Sequence, residues 1–217
     1  MLNWYGSIGN DRSSMPTLRE TTLDQYLKDV SSSSPTPGGG GVAAIVAALA
    51  AALGSMVTAL SAKHSEDSQF RDLAAKYADY RDGFLRLSAE DESAFDAVMA
   101  ALKLPKDDPS RAEQVEVTVQ AAARAPLAVA QTCLDFLINL ESLVTLASRH
   151  CISDIGAAAH LALAALRASL LNVHINITFM KDLAAAEGFE SSASKLESEG
   201  TARSQSITEQ VIAKIRK

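Results

Sequence analysis

The stretch VAAIVAALAAALGSMVTAL, residues 42–60, carries no charged side chain and follows directly on Pro35-Thr36-Pro37-Gly38-Gly39-Gly40-Gly41. Its alanine content predicts a helix, running to about Lys63. A helix without charge on any face is either buried all round in a protein or spans a bilayer. The flanks favour the first: they offer no aromatic belt and no strong lysine-arginine asymmetry, and the next segment is an amphipathic, charged helix. The stretch therefore reads as the central helix of a bundle, packed closely through small side chains. The prolines ahead of it fix φ and extend their predecessors, so the chain enters through a defined loop.

The rest of the 217 residues agree with an all-α, up-and-down helical bundle without significant sheet. Alanine and leucine dominate, and β-branched residues never gather into short alternating runs. Residues 1–14 read as a tail and residues 15–217 as a single helical domain. The net charge of −6 argues against a nucleic acid or an anionic membrane as partner. Cys133 and Cys151 form no C-x-x-C pair or disulfide framework, and the N-terminus lacks a secretory pattern, so the cytoplasm is the simplest compartment.

Along the chain, Thr22–Val30 reads as a short helix with Leu23, Tyr26 and Leu27 on one face. His64 to Asp67 reads as a polar turn, with Ser65 or Ser68 as the next cap. Gln69–Leu104 carries an apolar stripe through Phe70, Leu73, Tyr77, Tyr80 and Phe84, resuming at Phe95. A helix from Arg111 to Ala123 meets Pro126, which must kink it or restart it, and Leu127–Leu146 continues. Ser153 or Asp154 is the expected N-cap of a helix over 155–179, and a last helix runs over 191–215, after Gly188.

Several features invite chemistry. A glycine-rich helix start leaves backbone N–H groups free at the positive end of the dipole; it is either a ligand cradle or a place where another element packs closely. It matches neither the phosphate-binding loop nor G-x-G-x-x-G. Asp91 interrupts the apolar stripe within Glu90-Asp91-Glu92, where three acids ordinarily make a solvated face. Asn172 and Asn176 stand one turn apart in apolar sequence and need partners in protein, water or ligand. His64, His150, His160 and His174 show no metal-ligand spacing, so no metal is expected. No G-x-S-x-G turn offers a nucleophilic serine.

Three ordered motifs resemble the cyclodeaminase/cyclohydrolase family of folate enzymes. They are Pro35-x-Pro37-Gly38-Gly39-Gly40 with the following helix to Met56-Val57; Asp91-x-x-Ala94-Phe95-x-x-Val98-Met99 leading to Leu104-Pro105-Lys106; and Ser153-Asp154-x-Gly156-x-Ala158 through Leu171-Asn172-Val173-x-Ile175-Asn176. The resemblance spans about Thr22 to Asp182. It implies an all-helical homodimer acting on the one-carbon group of tetrahydrofolate. Two reactions go with it: hydrolysis of 5,10-methenyltetrahydrofolate to the 10-formyl compound, or closure of 5-formiminotetrahydrofolate with loss of ammonia. The folate is substrate, and no cofactor is expected. The free-standing chain tilts the expectation to the cyclohydrolase; a non-catalytic helical scaffold is the reading from another class. Gly41 stands where a serine is common, and Ser148-Arg149-His150 replaces a Gly-Asn-containing approach to the Ser-Asp pair.

On this resemblance Asp91 is the expected acid/base, with Lys106 and Asp154 as further catalytic candidates. Pro37, Gly38, Gly39, Gly40, Asn172 and Asn176 are expected to bind substrate. Helix geometry sets a limit, because Asp154 and Asn172 are eighteen residues apart, about 27 Å along one straight helix. In an up-and-down bundle the glycines, Lys106 and Asn176 share one end, with Asp154 at the other. Asp154 then serves the far end of an elongated folate, completes a site in a dimer partner, or acts as an N-cap.

Overall fold

The computed structural model describes residues 18, 20–63 and 69–217. The His64–Asp67 turn, its capping serines and the tail over 1–14 lie outside these residues. The described residues divide into two units, one ending at Ser34 and one running from Pro35 to Lys217. In the first, α1 (Leu23–Val30) is opened by Thr22, whose hydroxyl oxygen accepts the Gln25 N–H at 3.2 Å, as an N-cap does. Tyr26 alone of its apolar face is buried in that helix.

The second unit consists of α2 (Gly39–Ala62), α3 (Gln69–Lys103), α4 (Arg111–Leu146), a 3-10 turn (Arg149–Cys151), α5 (Ile152–Ile177) and α6 (Leu183–Arg216). The five long helices alternate up and down, and no strand occurs among the described residues. α2 packs on α3 and α5, while α4 touches α3, α5 and α6. Direction follows from cross-contacts: Gly41 faces Ser88 and Gly54 faces Tyr77, so α2 and α3 are antiparallel. Asn139 bonded to Tyr80, and Asn176 bonded to Ala122, give the same relation for α3 with α4 and α4 with α5.

Three helix boundaries differ from expectation. α2 starts at Gly39, so the glycines form its first turn rather than a loop. α5 starts at Ile152 with Cys151 at its N-cap position, because the 3-10 turn feeds straight into it; neither Ser153 nor Asp154 caps it. α6 starts at Leu183, where the Asp182 carboxylate accepts the Ala185 N–H at 3.0 Å, and it runs through Gly188. One exposed glycine costs only about 1 kcal/mol in a long helix held by its apolar face. α4 likewise continues through Pro126.

The core follows the predicted stripe. Tyr77, Phe84 and Phe136 are fully buried, and the Tyr77 and Phe136 rings meet edge to face at 5.8 Å, a favoured arrangement for aromatic pairs. Gly54 gives them room, since a Cβ there would lie 3.2 Å from the Tyr77 ring. α2, α4 and the segment 149–177 are long and apolar enough to cross a membrane, but half of each apolar window is already buried inside the protein. Phe136→Ala should cost about 3–5 kcal/mol, read as a lower midpoint in denaturant unfolding.

Candidate functional site

The first turn of α2 is wedged between α3 and α5, and its glycines meet polar side chains from both. A Cβ on Gly40 would collide with both carboxylate oxygens of Asp91, so the carboxylate lies directly on the Gly40 backbone. Asp91 accepts a hydrogen bond from the Gly41 N–H. On the other side, the Asn172 side-chain amide sits 3.5 Å and 3.7 Å from where a Gly39 Cβ would stand. The glycines serve space and not backbone torsion: no described glycine has positive φ, and Gly38 at the N-cap position is extended. Pro37, half-buried, leads into this turn.

Sequence reading missed Ser88. It lies one turn before Asp91 on α3 and is fully buried, and its hydroxyl donates to the Gly41 carbonyl at 3.2 Å. That hydroxyl stands 3.3 Å from the place a Cβ at position 41 would take. A small polar residue at i−3 from an acid on an apolar stripe was the available signal.

The electrostatics are set by burial. Loss of water around Asp91 pushes its carboxyl above the usual carboxylate range, and the Gly41 N–H pulls it part of the way back. The group is also at the positive end of the α2 dipole, which favours its anion. Asn172 donates its amide N–H to the Ala168 carbonyl at 2.9 Å, and its Oδ1 has no partner among the described residues. The N–H groups of Gly39 and Gly40 lie in the first turn, without intrahelical acceptors. The first turn of α2 thus carries the Asp91 carboxyl on Gly40, two amide donors and the Asn172 carboxamide, with the half-buried Glu92 carboxylate 3.9 Å from where a Gly41 Cβ would stand.

The other candidates lie elsewhere. Lys106 is exposed in the connection after α3. The last residue of that helix is about 18 Å along the axis from Asp91, at 1.5 Å of rise per residue. Asp154 occupies the first turn of α5, at the far end from Asn172, where it complements the dipole. Asn176 directs its amide at 2.8 Å to the Ala122 carbonyl of α4. Within one chain, therefore, Asp91, Gly38–Gly41 and Asn172 gather, while Lys106 and Asp154 do not join them. Among the described residues no three His, Cys, Asp or Glu side chains converge on a point that could hold a metal.

The displaced acidity has a measurable consequence. A carboxyl whose pKa is raised on folding contributes stability below the ordinary carboxylate range, and that contribution is lost as pH rises through the raised value. Asp91→Asn keeps an acceptor for the Gly41 N–H and removes the charge. The variant should be the more stable protein at pH 7, with the difference closing as pH falls below the ordinary carboxylate range, in denaturant unfolding across pH.

Known proteins share this architecture. The profile of the formiminotransferase-cyclodeaminase family matches residues 22–195. A methenyltetrahydrofolate cyclohydrolase of Methylorubrum extorquens is 35% identical over 202 residues, covering 89% of this chain and 97% of that protein. The formimidoyltransferase-cyclodeaminase of Mus musculus is 32% identical over 174 residues, 76% of this chain but only 32% of that longer protein. The crystal structure of a formiminotetrahydrofolate cyclodeaminase from Thermotoga maritima has the same fold, with a TM-score of 0.82 over 90% of this chain and 98% of that one, at 24% identity. The chain belongs to the formiminotransferase-cyclodeaminase family.

Proposed function

We propose that this protein is an enzyme that hydrolyses 5,10-methenyltetrahydrofolate to 10-formyltetrahydrofolate. The observation that carries the reading is the Asp91 carboxyl seated on Gly40, beside two free amides and the Asn172 oxygen. The Methylorubrum extorquens relative supports the cyclohydrolase, since the chain spans nearly all of that protein. The longer relatives, of which the chain spans about a third, bear the cyclodeaminase name and keep ammonia-releasing closure of 5-formiminotetrahydrofolate as the second reading.

The chemistry fits one carboxyl used twice. Asp91 takes a proton from water as the oxygen bonds to the methenyl carbon, giving a tetrahedral carbon between N5 and N10. The same carboxyl returns its proton to N5 as the carbon–N5 bond breaks, leaving the formyl group on N10. The second proton of the added water is released. The Gly39 and Gly40 amides are positioned to donate to the new oxygen, and Asn172 to orient the pterin. Gly38 and Pro37 shape the entrance. Lys106 meets the carboxylate tail of the folate from the end of α3, and Asp154 serves the far end or a neighbouring subunit.

The protein acts as a homodimer in the cytoplasm. Support for the dimer alone comes from α2, which carries no charge yet exposes Leu49, Met56 and Leu60 along one stripe. Leu49→Glu should then yield a monomer in sedimentation.

Loss of methenyl absorbance on mixing with purified protein tests the central reading, with formimino substrate and ammonia release as the paired assay. Asp91→Asn should lower kcat by about 10²–10⁴-fold, the usual contribution of a positioned acid/base. Gly40→Ala should do similar damage by displacing the carboxylate, whereas Gly39→Ala, in ordinary contact with Asn172, should retain most activity. With Asp91 as base, kcat/KM rises with pH along an acidic limb placed above the ordinary carboxylate range. Lys106→Ala should raise KM and spare kcat. No turnover of either substrate by the unaltered protein sinks the enzyme reading.

A further inference from the structure

We infer that Asn176 is a positioning residue: it supplies to α4 the hydrogen bond that Pro126 cannot make, and so fixes the register in which α5 holds Asn172 against Gly39. Pro126 has no N–H, which leaves the carbonyl four residues earlier, Ala122, without its helical donor. Ala122 is buried, so water does not substitute. The Asn176 Nδ2 donates to that carbonyl at 2.8 Å from the neighbouring helix. A backbone defect in one helix is thus matched to a side chain in another, and α4 stays helical through its proline.

The pairing lies where register matters. Asn172 is one turn before Asn176 on α5, and α5 ends at Ile177. A final helical turn lacks onward hydrogen bonds and frays unless tied down. The tie to Ala122 anchors this last turn, and Met180 beyond it packs with Val119 and Ala123 on the same stretch of α4. Asn176 therefore acts through the backbone of α5 on Asn172, and needs no contact with substrate. The catalytic half of this inference rests on the proposed folate site; the structural half does not.

A double-mutant cycle separates the two halves. Asn176→Ala and Asn176→Asp should both lower the thermal midpoint, since the aspartate is isosteric but has no N–H to donate at neutral pH. In a Pro126→Ala background, where residue 126 regains its N–H for Ala122, the cost of Asn176→Ala should largely vanish. Turnover should follow the same pattern: about a tenfold fall in kcat/KM from Asn176→Ala with Pro126 present, and under about twofold with Pro126→Ala or with Asn172→Ala. A fall in kcat/KM that persists in the Pro126→Ala background overturns the inference, because Asn176 would then touch substrate itself. If Pro126→Ala does not fold, the aspartate decides: a midpoint equal to that of the unaltered protein overturns the inference. Should the unaltered protein turn over no folate, the midpoints still test the tie while the proposed function alone fails.

Discussion

A carboxylate rests on the first turn of α2 because position 40 has no side chain. Any Cβ there would occupy the space of both Asp91 oxygens, so the glycine and the acid are one unit contributed by two helices. The rest of the bundle holds that unit together. The uncharged α2 brings its N-terminus between α3 and α5, the Ser88 hydroxyl pins the Gly41 carbonyl, and Gly54 lets Tyr77 and the aromatic core close further along. Burial then supplies the chemistry, by making the anion of Asp91 less favourable than at a surface.

The two helix ends do different work. The start of α2 is left with free donors, the usual condition for receiving an oxygen of a ligand. The end of α5 is tied to α4 through Asn176. Pro126 underlies that tie, since its missing N–H both frees the Ala122 carbonyl and gives α5 something to hold. Elsewhere the same economy recurs: the Lys214 ammonium donates to the Val144, Thr145 and Ala147 carbonyls at the end of α4, and the Glu116 carboxylate accepts the Lys181 and Asp182 N–H groups between α5 and α6.

Much of the fold was legible in the sequence, because helical periodicity and an uncharged central stretch are local signals. The stripe from Phe70 to Phe84 became the core face of α3, and the eighteen residues between Asp154 and Asn172 did place them at opposite ends of one helix, α5. Boundaries were harder. Nothing local to Gly39 says that a four-glycine run will be helical, since it is the close approach of Asp91 at Gly40 and of Ser88 at Gly41 that calls for glycine there. The solvated reading of Glu90-Asp91-Glu92 failed for Asp91, whose side chain faces α2, and the half-buried Glu92 reaches the same turn at Gly41; only tertiary contact reveals that. For Ser88 the only local signal was its place one turn before Asp91; its bond to the Gly41 carbonyl is likewise tertiary. Asn172 and Asn176 looked equivalent in sequence, yet residues four apart differ by about 40° around a helix axis. That rotation directs one toward α2 and the other toward α4. The departure at Gly41 also gains a physical counterpart: the hydroxyl next to that position comes from Ser88.

Chemistry is assigned to the place where Asp91 meets the start of α2. A crystal structure with 10-formyltetrahydrofolate bound tests that assignment most directly. The formyl carbon is expected beside the Asp91 carboxyl, its oxygen on the Gly39 and Gly40 amides, and the glutamate tail running toward Lys106. A ligand bound at the Asp154 end of the same subunit, with its one-carbon group out of reach of Asp91, would contradict it.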